Sequence, residues 1–117
     1  MLISDSKVRS ALLRAVSDEK MSRVMARTAK EAKSVADLIV LCGIPHTTAY
    51  RYVGQMKRDG LLVVEKIVQR QDGKKQALYR CAFRSATVMF SEGEVEIDAM
   101  LNTDERGNAL RLFHPSS

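Results

Sequence analysis

The sequence predicts an α+β fold, and three observations point to it. The chain has 117 residues, 45% of them hydrophobic and 28% charged, which is the length and mix of one ordinary soluble globular domain. Through the first half, apolar residues recur at three- and four-residue spacing, the period of a helix. From Leu61 onward the period changes, and apolar residues run together or alternate as they do in strands.

The elements follow in order. Ser6 is placed to cap a helix whose stripe is Val8, Ala11, Leu12, Ala15 and Val16. Ser17-Asp18-Glu19 reads as a fresh helix start with acids in the first turn. Met21, Val24, Met25, Thr28, Ala29 and Ala32 continue the stripe, so 6–33 is one bent helix or two. Ser34-Val35-Ala36-Asp37 matches a capping box and opens a short apolar helix through Leu38, Ile39 and Leu41. Gly43 ends it, Ile44-Pro45 turns the chain, and the next helix runs from about His46 to Asp59. LLVVEKIVQR and QALYRCAF are then two strands around an Asp72-Gly73 turn, together 61–83. A second hairpin is expected over 85–101, with Val95, Ile97, Ala99 and Leu101 inward and Glu94, Glu96 and Asp98 outward. The tail, 102–117, is expected to add a helical turn through Leu110, Leu112 and Phe113.

Charge is unevenly distributed. There are 19 Lys and Arg against 14 Asp and Glu, a net of +5 and a pI near 9.5. Residues 46–83 hold 8 basic and 3 acidic groups, whereas 84–117 hold 3 basic and 6 acidic. A polyanion is therefore expected against the middle of the chain and not against its C-terminal third. Cys42 and Cys81 are too few and too far apart for a CxxC metal site or a disulfide framework, and two free thiols fit a reducing cytoplasm. No run approaches the ~18 apolar residues of a membrane helix, and no signal-like apolar segment opens the chain.

A short helix, a tight turn with a glycine and a second helix make a helix-turn-helix, here 34–59. A hairpin with a basic tip directly afterwards adds a wing. The stretch SVADLIVLCGIPHTTAYRYVGQMKRDGLLVVEKI resembles the core of winged helix-turn-helix transcription regulators, closest to the ArsR-like archaeal and bacterial one-domain type. The matching features are the Leu-rich first helix, Gly-Ile-Pro in the turn, Thr-x-Tyr-Arg early in the second helix and Asp-Gly-Leu-Leu leading into the wing. The resemblance covers roughly 34–83, and 6–16 fit the preceding helix. It implies three or four helices, a β-hairpin wing, binding of double-stranded DNA and no cofactor. Residues 85–101 are an additional C-terminal hairpin on that plan.

The spacing assigns the faces. Ala49, Val53 and Met56 form the inward set against Leu38, Leu41 and Ile44. The opposite face presents His46, Thr47, Tyr50, Arg51, Gly54, Gln55 and Arg58. A recognition helix meets base edges with its N-terminal part and phosphates with its flanks. Tyr50 and Arg51 are the expected base or phosphate contacts, and Arg51 can reach guanine O6 and N7 together. Thr47 and Thr48 suit phosphate at the helix N-terminus, with Thr48 as a plain cap the alternative. Arg70, Lys74 and Lys75 at the wing tip suit backbone phosphates. Tyr52 is assigned to packing.

No catalytic set is legible. His46 and His114 are the only histidines, and Glu92, Glu94, Glu96 and Asp98 share a solvated strand. The paired cysteines of metal-sensing ArsR-like proteins are not matched, since ADLIVLC carries only Cys42. The expectation is a nucleoid-associated cytoplasmic regulator, acting as a homodimer because one recognition helix buries little DNA surface. The seam is expected in the N-terminal helices, through Val8, Leu12, Met21, Val24 and Met25, or in the C-terminal hairpin. The rival reading is a winged-helix protein-interaction module of a transcription or replication assembly, which would show apolar groups on the face of 46–58.

Overall fold

A computed structural model describes residues 1–103 and 107–110. Four helices come first, α1 Ser6–Ser17, α2 Glu19–Lys30, α3 Val35–Cys42 and α4 His46–Arg58. Four strands follow, β1 Leu62–Gln69, β2 Lys75–Cys81, β3 Phe83–Ser91 and β4 Glu94–Leu101. They form two separate antiparallel pairs, β1–β2 and β3–β4. No helix among the described residues is long and apolar enough to cross a membrane.

The stretch 6–33 holds two helices, and Asp18 separates them. Its extended backbone ends α1, and its Oδ1 accepts from the amides of Lys20 and Met21, both at 2.9 Å, to start α2. The cap of α1 differs from expectation. Asp5 does the work, its Oδ1 accepting from the Val8 amide at 3.0 Å, and Ser6 is the first helical residue. The carboxylate lies three residues before an unsatisfied amide, the usual geometry of an N-cap. The capping box at α3 is complete: Ser34 Oγ accepts from the Asp37 amide at 3.0 Å, and Asp37 Oδ2 accepts from the Ser34 amide at 3.1 Å. Gly43 then adopts φ +62°, a left-handed conformation that closes the helix.

Val8, Ala11, Leu12, Ala15, Met21, Val24, Leu38, Ile44, Ala49, Val53 and Met56 are all buried in a single core cluster. The inward set of α4 is therefore the expected one. Leu41 is not part of its partner set; it is 38% exposed, and Cys42 is buried in its place. Four residues beyond Leu38, Cys42 returns to the same side of the helix, whereas Leu41 falls at its edge. The same burial withdraws most of the apolar stripe of α1 and α2 from the surface. Val8, Leu12, Met21 and Val24 are occupied by the chain's own core, and only Met25 of that set is half-buried.

The β1–β2 hairpin is pinned in two places. Lys33 and Tyr79 exchange backbone hydrogen bonds of 2.9 and 2.7 Å, so the segment before α3 forms a one-residue bridge to β2. A register irregularity lies between Val64 and Lys66, around Glu65. Glu65 Oε1 pairs with Arg80 Nη1 at 3.0 Å, with both side chains nearly out of solvent. Arg80 also donates from Nε to the Ala29 carbonyl at 3.1 Å. Buried Asn102 completes the network, donating to the carbonyls of Ala29 (2.6 Å) and Cys81 (3.1 Å). A buried charge pair is tolerated when its remaining donors are satisfied in this way.

In β4, Ile97 and Ala99 face the core while Glu94, Glu96 and Asp98 face outward, as the alternation predicts. The first residues join this sheet: the Ile3 amide donates to the Ile97 carbonyl at 2.9 Å and the Ala99 amide to the Met1 carbonyl at 2.7 Å. Of the described tail residues, Thr103 bridges Ala109, and the Leu110 amide donates to the Asn102 carbonyl at 2.7 Å. Leu112, Phe113 and His114 lie outside the described residues.

Candidate nucleic-acid interface

α4 starts without a side-chain cap. Pro45 occupies the N-cap, and no hydroxyl or carboxylate satisfies the first amides. Thr48 does not cap and is half-buried, while His46, Thr47, Tyr50 and Arg51 are exposed. An uncapped N-terminus keeps amide donors and the positive end of the helix dipole open to an anion. His46 and Tyr50 lie one turn apart with ring centroids 4.8 Å apart at 45°. The Arg51 guanidinium lies 5.4 Å from the Tyr52 ring centroid. Tyr52 itself is half-buried against the core, and its hydroxyl donates to Asp18 Oδ2 over a long 3.5 Å, in keeping with a packing role.

The far end of α4 is a different environment. Gln55 donates from Nε2 to Asp59 Oδ1 at 3.0 Å, and its Oε1 accepts from Arg58 Nη2 at 3.1 Å. Asp59 also pairs with Arg14 at 3.6 Å, and Lys7 Nζ donates to the Arg58 carbonyl at 3.3 Å. Gln55 and Arg58 thus belong to a network that ties the end of α4 to α1. Of the helix residues the sequence singles out, His46, Thr47, Tyr50 and Arg51 form one open cluster.

Gly54 sits between those two regions. A Cβ built there would meet only Arg58 Nη1, at 3.4 Å, the movable end of a long side chain. The fold therefore does not require glycine inside this helix, although glycine there costs about 0.5–1 kcal/mol relative to alanine.

The hairpin tip faces the same side as Tyr50. A groove of about 240 Å³ is lined by Ser34, Val35 and Ala36 at the start of α3, by Tyr50, and by Arg70, Lys75, Gln76, Ala77 and Tyr79 of the hairpin. Lys74 and Lys75 are exposed. Arg70 is partly matched by Asp72, 3.2 Å away, and the Lys74 amide donates to Asp72 Oδ1 at 3.0 Å. The turn is closed by the Gly73 amide donating to the Arg70 carbonyl at 3.0 Å, with Gly73 at φ +85°. Asp72 thus shapes the turn and offsets Arg70, leaving the two lysines as its outward charge.

Both cysteines are buried and free. Burial pushes both thiols up from the ordinary value of 9.0; Arg27 and Arg23 partly offset this at Cys42, as a backbone hydrogen bond from Phe83 and the charge of Arg80 do at Cys81. Among the described residues, no three His, Cys, Asp or Glu side chains gather as a metal site. No protein-family model matches the chain, and no curated protein matches it in sequence.

Proposed function

We propose that the protein is a double-stranded DNA-binding transcriptional regulator of winged-helix type, working as a dimer. α4 lies in the major groove as the recognition helix, and the β1–β2 hairpin is the wing on the adjacent backbone. One observation carries this reading: Tyr50, part of the exposed cluster of α4, lines a single groove together with Arg70 and Lys75 of the hairpin tip. The order helix, turn, helix, hairpin, docked through the Lys33–Tyr79 bridge, supports it.

The cluster and the tip have separate jobs. Arg51 and Tyr50 read base edges, Thr47 and Thr48 with the uncapped N-terminus hold a phosphate, and Lys74 and Lys75 grip the backbone without regard to sequence. The test is a panel of variants titrated against a duplex selected from a random pool and against random duplex. Arg51→Ala weakens binding to the selected site by about 1–3 kcal/mol and barely alters random duplex. Lys74→Ala and Lys75→Ala weaken both alike. A panel in which all three variants bind both duplexes as the wild type does would remove the reading.

A winged-helix module that binds another protein is the second reading. Val40 at 80% and Phe90 at 74% exposure favour it, although neither lies on the outward face of α4.

A further inference from the structure

We propose that the outer edge of β3 is the dimer seam, occupied by β3 of a second copy, antiparallel and centred on Val88. This rests on the reading that the protein works as a dimer.

The edge is open. β4 is flanked on both sides, by β3 and by the bridge from Leu2 to Asp98. Among the described residues, β3 pairs with β4 alone. Most of its length, SATVMFS at 85–91, contains no charge, no proline and no glycine. An uncharged, apolar edge strand is a template for strand pairing, and proteins normally blunt or cover one. Here Val88 is 41%, Met89 45% and Phe90 74% exposed.

The strand is complementary to itself. With the two-fold axis at Val88, Ala86 lies opposite the partner's Phe90, small against large. Thr87 lies opposite the partner's Met89, and Val88 opposite the partner's Val88. The β3–β4 register puts Phe90 beside Val95, Val88 beside Ile97 and Ala86 beside Ala99, so the joined sheet carries one continuous apolar face. Beyond the uncharged stretch stand Arg84 and Glu92, each four residues from the centre. The same axis therefore brings opposite charges together at both ends of the seam. Moving the axis to Thr87 sets Arg84 against the partner's Phe90, and moving it to Met89 sets Glu92 against the partner's Ala86. Only the register on Val88 matches size and charge together. A strand addition also supplies backbone hydrogen bonds along the whole edge.

The test uses the full chain. By light scattering at high micromolar concentration the wild type has about twice the 13.1 kDa chain mass. Val88→Lys and Val88→Glu each put like charges directly opposite across the axis. Each weakens self-association by about 100-fold or more, with far-UV circular dichroism confirming retained structure. Mixing the two variants restores a dimer, because opposite charges then meet. In addition, Val88→Cys is captured as a covalent dimer by a short bismaleimide, Cys42 and Cys81 being buried and out of reach. Charge variants that dimerise like the wild type, or a mixture that stays monomeric, would overturn the seam and leave the dimer reading standing. A wild type that is monomeric throughout would overturn both, while duplex titrations judge DNA binding separately.

Discussion

Gly54 is where the physics of the fold and the proposed function part company. Inside the chain it has room for a Cβ, so Gly54→Ala should stabilise the protein by about 0.5–1 kcal/mol. If the outward side of α4 lies against DNA, the same methyl costs affinity; a melt that rises while duplex binding falls is the expected pair of results. Ala49 is the converse case. It is fully buried where α4 meets the core, and Ala49→Leu should lower stability by about 1–3 kcal/mol before any DNA is added, as read by thermal melts. Arg51, being exposed, should leave the melt unchanged on truncation. The inward positions were legible because helical spacing alone assigns them. The hydrogen bonds of Gln55 were not, because its bond to Asp59 depends on where that acid lands after the helix ends. The thiols carry a pH signature. Their raised values mean that the stability from keeping them protonated is intact below 9.0 and is lost as pH rises past it. Cys81→Ala should therefore show a smaller loss of stability between neutral and strongly alkaline pH than the wild type, compared by denaturant titration.

At the scale of elements, helix ends were read well where the signal is local. Ser34 and Asp37 form the full capping box their spacing announces, and Ser34→Ala should cost about 1 kcal/mol by denaturant unfolding. Asp5 shows the limit of such reading, since two adjacent residues could each cap α1 and one carboxylate wins. What sequence could not show is how the β1–β2 hairpin is held. The Lys33–Tyr79 bridge is one residue long and leaves no periodicity to read. The Arg80, Glu65 and Asn102 network joins residues distant in the chain, and Arg80 reads in sequence as one more surface cation. Arg80→Ala leaves Glu65 buried without its partner and should cost about 3–5 kcal/mol. Replacing both Arg80 and Glu65 with apolar residues should recover much of that loss, which a double-mutant comparison of unfolding free energies checks.

The whole molecule is polarised. The basic surplus of 46–83 surrounds α4 and the β1–β2 hairpin, while the β3–β4 hairpin carries Glu92, Glu94, Glu96 and Asp98. That separation was legible from charge counts alone, because burial of Arg80 against Glu65 removes one charge of each sign and leaves the surplus intact. The α+β order was equally legible, from the change of period at Leu61. The joining of residues 1–3 to β4 was not, since three residues are too few to carry an alternation. A DNA-binding face built on phosphate contact makes one demand on the molecule above all others: its affinity must fall with salt. Anisotropy titration of the wild type on a random duplex from 50 to 200 mM salt tests this most directly. A dimer contacting about 6–10 phosphates should lose about 10³–10⁵ in affinity across that range. Binding that stays flat with salt, or no binding even at 50 mM, would contradict the account.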